Sequence, residues 1–128
     1  MARRLFLVDD DLMFGQRARA AAARLGVAVE SLTAQEAEAR NWHADDVVLL
    51  QATLRPERQE ALIDRLLQLR PAPLVVAVTG HLETALRQRL RARGARLAAH
   101  SAMDRALARA LGLSADGAPH AHAPDPPE

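Results

Sequence analysis

The sequence predicts an α/β fold in which a parallel sheet of five strands is covered by helices on both faces. Three stretches are apolar without alternation, a pattern that is typical of strands buried on both faces. These stretches are Leu5–Val8, Val47–Leu50 and Leu74–Thr79. Segments with apolar residues at helical spacing lie between them, joined by short connections. Strands that alternate with helices in this way form parallel sheets.

Two weaker strands and five helices complete the predicted order. The weaker strands are expected over Val27–Ser31 and Ala95–Ala99. The helices are expected over Leu12–Leu25, Thr33–Arg40, Pro56–Arg70, Leu82–Arg93 and Asp104–Leu111.

Capping residues support several of these boundaries. Asp11 is placed to cap the first helix and Gly26 to end it. Thr33 and Glu36 have the spacing of a capping box at the second helix. Trp42 is expected to cover the core. The positions expected to face the core are Met13, Ala20, Ala21 and Leu25 in the first helix and Leu82, Leu86 and Leu90 in the fourth.

Length, composition and charge limit the classes of function. The 128 residues suit one domain, expected over residues 1–112, with a disordered tail over residues 113–128. The absence of cysteine excludes disulfides and thiolate chemistry. The 17 basic residues against 16 acids give a formal charge of +1, which is too small to favour nucleic-acid binding. No segment has the length of a membrane span or the pattern of a signal peptide, so a cytoplasmic location is expected.

Polar side chains follow four of the five predicted strands. Because the carboxyl ends of parallel strands meet at one edge, where open α/β sheets place their ligand sites, these side chains are expected to converge. They are Asp9, Asp10, Asp11, Gln51, Thr79, His100 and Ser101. Three adjacent carboxylates repel one another unless a cation or hydrogen-bond donors compensate, which favours a divalent metal. The alternative is a solvated strand end in which Asp11 only caps the next helix.

At this point the sequence resembles the receiver domain of bacterial two-component response regulators, over roughly residues 4–112. The matching pieces are Leu7–Asp10, Gly26–Val29, Asp46–Leu50, Val78–Gly80 and Gly94–Ala95. The resemblance implies a flavodoxin-like (βα)5 three-layer sandwich with strand order 2-1-3-4-5. It also implies a role in signal transduction.

The departures from the family pattern concern the residues that handle phosphate. Gln51 stands where receivers carry the phosphoaccepting Asp, and a carboxamide is a far poorer nucleophile than a carboxylate. His100, or Ser101 if the segment is ungapped, takes the position of the family's lysine. Thr79 matches the family's switch Thr, but Leu97 or Ala98 replaces the aromatic residue that moves with it. The resemblance is therefore to an atypical receiver, a pseudo-receiver.

The same resemblance implies how a metal would be held. In the family the position of Asp10 ligates magnesium directly and that of Asp9 acts through water. With Gln51 in place of a carboxylate the ligand charge falls by one, so magnesium binding is expected to be weak or absent, and no cofactor is required. The alternative is that backbone donors, Arg55 or water satisfy Asp9 and Asp10.

The family also implies a partner surface, formed by the fourth helix, the fifth strand and the fifth helix. Arg87, Arg91 and Arg105 are expected near it. The expected partner is a protein, namely a kinase, an output protein or another regulator, and a homodimer stays open. No membrane or nucleic-acid partner is expected.

The sequence thus favours a stand-alone pseudo-receiver that is not an enzyme and acts through protein–protein interaction. Two alternatives stay open: phosphotransfer through a displaced acceptor such as Asp10 or Asp11, and a small-molecule or cation sensor that uses the acid edge. His43 and His81 lack the partners of a hydrolase triad. No glycine-rich phosphate loop follows any strand, which argues against a nucleotide-binding enzyme.

Overall fold

Strands and helices alternate along the whole of the described chain. The computed structural model describes residues 3–113. The strands are β1 (Leu5–Val8), β2 (Val29–Leu32), β3 (Val47–Gln51), β4 (Leu74–Thr79) and β5 (Arg96–Ala99). The helices are α1 (Leu12–Arg24), α2 (Ala34–Ala39), α3 (Pro56–Gln68), α4 (Thr84–Arg93) and α5 (Met103–Ala110), with a 3-10 turn over His100–Ala102 before the last.

The five strands form one parallel sheet in the order β2-β1-β3-β4-β5. Each uninterrupted apolar run is a strand in the middle of this sheet, and every residue of β1 and β3 is buried. The flavodoxin-like order 2-1-3-4-5 is confirmed. The carboxyl ends of β1, β3 and β4, which are neighbours, therefore lie side by side.

Alternate residues of each strand face two separate cores, which confirms the three-layer arrangement. Leu5 and Leu7 face one core, which contains the inner faces of α1 and α5. Phe6 and Val8 face the other, which contains α2, α3 and α4. The sheet therefore presents its carboxyl edge between two packed helical layers.

The predicted capping residues and the core position of Trp42 are confirmed. The Asp11 side chain accepts a hydrogen bond from the backbone N–H of Phe14, and Thr33 with Glu36 forms a complete capping box. Trp42 is buried against Phe6 and donates from Nε1 to the carbonyl oxygen of Ala37 at 2.9 Å.

The inward face predicted for α1 is partly wrong. Met13 is 62% exposed and Ala20 is also exposed, whereas Ala21 and Leu25 are buried as expected. The buried stripe starts at Phe14, because the helix turns its second residue outward and its third toward the sheet. The residues that α1 buries are Phe14, Gly15, Ala18, Ala21 and Ala22.

The predicted start of α4 is also wrong. The helix begins at Thr84, and Leu82, expected on its inner face, is 81% exposed. A turn precedes the helix, since the Glu83 backbone N–H donates to the carbonyl of Gly80 while the Gly80 N–H donates to the Glu83 carboxylate at 2.6 Å. Leu86 and Leu90 are buried as predicted.

The remaining boundaries differ by one or two residues. β2 starts at Val29 because Gly26, with φ of 71°, and Val27 still complete the end of α1. Gln51 is the last residue of β3, not the residue after it. Of the tail predicted over 113–128, residues 114–128 lie outside the described residues, while Leu113 packs against the core.

Charged side chains connect α3 to α4 on the outside of one helical layer. Glu60 accepts from Nε of Arg89 at 3.1 Å and from Nε of Arg93 at 3.0 Å, and Asp64 accepts from Nη1 of Arg93 at 2.8 Å. Burial alone would raise the pKa of Glu60, but the two arginine hydrogen bonds outweigh it and lower the pKa from its ordinary value.

Within residues 3–113, no helix combines the length and the apolar character that crossing a bilayer requires.

Candidate functional site at the carboxyl edge of the sheet

Each of the three carboxylates after β1 already has a partner within the chain. Asp9 accepts from Nη1 of Arg19 at 2.7 Å, and Asp10 accepts from Nε2 of Gln59 at 2.8 Å. Asp11 caps α1. Within residues 3–113, the side-chain donors to Asp9 and Asp10 come from α1 and α3, and the predicted Arg55 is not one of them.

Gly15 explains how α1 comes close enough for the Asp9 contact. A Cβ atom at this position would lie 2.5 Å from Oδ1 of Asp9, which is shorter than any ordinary contact. Glycine therefore leaves room for the carboxylate in its present position. Arg19 lies one helical turn further along α1, so its guanidinium reaches the same carboxylate.

Gln51 lies at the floor of a cleft between the loops that follow β1 and β3. Its side chain is 4% exposed, and within residues 3–113 its Nε2 atom has no hydrogen-bond partner. The cleft encloses about 250 Å³ and is lined by Asp10, Asp11, Gln51, Leu54 and Arg55. A buried amide nitrogen without a hydrogen-bond partner costs free energy of folding, so Gln51 is held at this position at the expense of stability.

Sequence reasoning missed Arg19 and Gln59, although one of them left a signal. Gln59 falls on the same helical stripe as Leu62, Ile63 and Leu66, all of which are buried. A buried polar residue on an apolar stripe needs a hydrogen-bond partner, and here that partner is the carboxylate of Asp10. Arg19 left no such signal, because α1 carries other arginines at exposed positions.

This arrangement does not suit a magnesium site. Asp9 is held in an ion pair with Arg19, and Gln51 brings no carboxylate to the cleft. Within residues 3–113, no group of three or more His, Asp or Glu side chains is placed to hold a metal ion. Magnesium favours several hard oxygen ligands with carboxylate charge, and too few remain here.

His100 connects the ends of β5 and β3. Its Nε2 lies 3.0 Å from Oγ1 of Thr53, and its ring meets that of Phe14 edge to face. Burial lowers the pKa of His100 below its ordinary value, the Arg17 charge lowers it further, and Glu83 only partly opposes this. The imidazole is therefore neutral at neutral pH. Ser101 is exposed on the following 3-10 turn.

The lowered pKa of His100 predicts a pH dependence of stability. The unfolded chain takes up a proton on this histidine near pH 6.5, whereas the folded protein does so only at lower pH. The free energy of unfolding should therefore be unaffected above that pH and should fall as the pH drops just below it. Urea unfolding between about pH 7 and 5.5 measures the slope. His100→Gln keeps a hydrogen-bonding side chain but does not titrate, so it should reduce the pH dependence of the free energy of unfolding. An unchanged slope would show that His100 is not its source.

The remaining predicted residues lie apart from the cleft. Thr79 is buried at the end of β4, and its Oγ1 accepts from Nη1 of Arg87 at 2.7 Å. Arg87 is thus half-buried and turned toward the sheet, while Arg91 and Arg105 are exposed on α4 and α5. The Thr79 hydroxyl is held by α4.

Two solved structures share this fold. A response regulator receiver protein from Burkholderia phymatum superposes with a TM-score of 0.66 at 22% sequence identity, covering 89% of this chain and 98% of that chain. A response regulator from Colwellia psychrerythraea gives a TM-score of 0.65 at 13% identity, covering 85% and 96%. No protein-family model matches the sequence, and no curated protein matches it. In fold, the protein is a flavodoxin-like sandwich of the kind seen in response regulator receivers.

Proposed function

We propose that the protein is a cytoplasmic, non-enzymatic signalling protein that acts by binding another protein, without phosphorylation on an aspartate. The partner would be a kinase, an output protein or another regulator. The protein has a receiver-type fold, but it lacks the phosphoaccepting aspartate that the resemblance implies at the position of Gln51. One observation carries it: the residue at the floor of the acid cleft is the carboxamide Gln51.

The chemistry of the amide supports this reading. An amide nitrogen lone pair is delocalised into the carbonyl and the group carries no charge, so Gln51 cannot attack phosphorus as a carboxylate does. Thr53 is the nearest hydroxyl on the following loop, and its Oγ1 is already within hydrogen-bond distance of His100. Within residues 3–113, Thr53 is therefore a poor replacement for the missing nucleophile.

The state of the acids supports it as well. A displaced acceptor would have to be Asp10 or Asp11, but Asp10 is hydrogen-bonded to Gln59 and Asp11 caps α1. Both carboxylates therefore make structural hydrogen bonds that conversion to an acyl phosphate would disturb. The cation-sensor alternative loses support from the Arg19–Asp9 ion pair, which already supplies a positive charge to the cluster.

Intact-mass measurement after incubation with magnesium and a small phosphodonor tests the proposal. We expect no phosphate adduct on the wild-type protein, because Gln51 is an amide and the carboxylates of Asp10 and Asp11 are engaged by Gln59 and by the cap of α1. Gln51→Asp restores a carboxylate at the end of β3 and is the matched comparison. An adduct on that variant alone would support Gln51 as the lost acceptor position, whereas a stoichiometric adduct on the wild type would overturn the proposal.

A further inference from the structure

A large cavity lies at the amino edge of the sheet, at the opposite end of the molecule from the acid cleft. It encloses about 510 Å³, about twice the volume of the acid cleft. Its walls come from the first residues of β1 and β2 and from the chain that follows α1 and α5. They include Arg3, Arg4, Val27, Val29, Leu111 and Leu113. Pockets that take small molecules enclose about 300–1,000 Å³, so the cavity has the size of a ligand site.

Two glycines open this space by ending α1 and α5 at the same edge. Gly26, with φ of 71°, and Gly112, with φ of 76°, adopt the left-handed conformation that turns the chain away from a helix. The N–H groups of Val27 and Leu113 then donate back to carbonyl groups in the last turns of the two helices, at 2.9 Å and 2.6 Å. These carbonyl groups therefore have donors within the chain, and the charges at the cavity come from side chains.

The wall of the cavity between the two helix ends is apolar. Val27, Val29 and Leu113 are half-buried and pack on the core beside α1 and α5, and Leu111 is buried with them. A half-buried apolar side chain that lines a cavity leaves part of its surface to water. An apolar ligand group in this place would remove that surface from water together with its own, which favours binding.

The chain holds one of the two arginines of the cavity in a fixed place. The backbone carbonyl of Arg4 accepts from the N–H of Val47 at 2.8 Å, which anchors the residue to the sheet. Its Nε lies 3.5 Å from Oδ1 of the buried Asp46, and its guanidinium lies over the ring of Phe6 at 5.3 Å. Within residues 3–113 its Nη atoms have no hydrogen-bond partner, so they are free to donate to a ligand.

The second arginine gives the cavity an excess of positive charge. Arg3 is exposed and has no acidic partner in the described part of the chain. The nearby acids are already paired, since Asp46 lies beside Arg4, and Glu30 lies 3.9 Å from Nη1 of Arg40. A carboxylate matches this charge, because the planar guanidinium of arginine can donate two parallel hydrogen bonds to its two oxygens.

We propose that this cavity binds a small organic carboxylate with an apolar chain, whose carboxylate contacts Arg3 and Arg4 while the chain covers the apolar wall. The two arginines repel a cationic ligand, and an inorganic anion would leave the apolar wall in water. The site is separate from the acid cleft, and the inference does not depend on the proposed function.

Titration of octanoate into the 15N-labelled full chain, followed by NMR, tests the inference. The matched probes are octanol, which lacks the charge, octylammonium, which reverses it, and acetate, which lacks the chain. We expect octanoate to shift the amides of Val27, Val29 and Leu113 with a Kd at or below about 1 mM, the range for a ligand of about ten non-hydrogen atoms. Octanol should bind about 5-fold more weakly, the upper end for loss of an exposed ion pair. Octylammonium and acetate should not shift these amides at the same concentration.

Two variants separate the charged part of the site from the apolar part. Arg3→Gln should weaken octanoate by about 3-fold and leave octanol unchanged, because it removes only a charge. Leu113→Ala should weaken octanoate and octanol alike by about 5-fold, because it removes apolar contact area. The matched controls are Arg91→Gln on α4 and Leu54→Ala in the loop after β3, both at exposed positions outside the cavity. Neither control should change the affinity for octanoate.

Several results would overturn the inference. They are the absence of octanoate shifts at this edge, equally tight binding of octanol or octylammonium, and unchanged octanoate affinity in Arg3→Gln and Leu113→Ala. Two other occupants would also overturn it, and each has its own signature. NOE contacts from residues 114–128 to the methyl groups of Val27 and Val29 in the free chain would identify the chain's own tail. Amide shifts at this edge that depend on protein concentration alone would identify a second copy.

Discussion

Replacing Trp42 by alanine is expected to lower the free energy of unfolding by about 3–5 kcal/mol. The indole is buried, meets the ring of Phe6 edge to face at 5.0 Å, and donates to the carbonyl of Ala37. The guanidinium of Arg40 lies over the Phe6 ring at 4.2 Å, so the alanine variant would also open this stack to water. Trp42 is the only tryptophan, so its fluorescence is lost in the variant. Urea unfolding is therefore followed by far-UV circular dichroism, which measures the loss of stability.

Trp42→Phe is the matched control for that experiment. Phenylalanine keeps an aromatic ring against Phe6 and gives up the N–H that reaches Ala37, a hydrogen bond that contributes about 1 kcal/mol. It should therefore be clearly less destabilising than alanine. Equal losses for the two variants would mean that ring packing contributes little here, and an alanine loss below about 1 kcal/mol would contradict the core position of Trp42.

Gln51→Met and Gln59→Met should change stability in opposite directions. Both glutamines are almost fully buried, and methionine has a similar unbranched shape. Gln51 has an amide nitrogen without a partner, so removing it should raise the free energy of unfolding by about 1–2 kcal/mol. Gln59 donates to Asp10, so the same change there should lower it by about 1 kcal/mol.

The pair tests the site as well as the fold. Chemical denaturation of both variants beside the wild type is sufficient for the stability comparison. Destabilisation by both substitutions would show that the Gln51 amide is satisfied in solution.

The parts of the fold that depend on burial were predictable from the sequence. Leu5–Val8, Val47–Leu50 and Leu74–Thr79 are apolar because both faces of each strand are covered, and such runs leave few alternatives. Capping residues were equally informative, since Asp11 and Thr33 act through hydrogen bonds within their own helix turn. Features that depend on contacts between neighbouring residues could therefore be predicted from the sequence.

The errors arose where the cause is not visible in the spacing of apolar residues. Leu82 has the spacing of a buried helical residue, but the Glu83 carboxylate holds the Gly80 turn and delays the helix. Phe14, and not Met13, faces the core, because the orientation of α1 on the sheet decides which side of the helix is buried. The partners of Asp9 and Asp10 come from α1 and α3, and no spacing rule connects residues that meet only after the sheet has formed.

The contacts between α3 and α4 have a mechanical consequence. Glu60 and Asp64 hold α4 through three charge-assisted hydrogen bonds, and one arginine, Arg93, joins both acids. A displacement of α4 relative to α3 would have to break these hydrogen bonds together. The first turns of α3 carry Gln59, which holds Asp10 at the mouth of the cleft. We expect a contact that displaces α4 to displace α3 with it, and so to move the Gln59 side chain that holds Asp10.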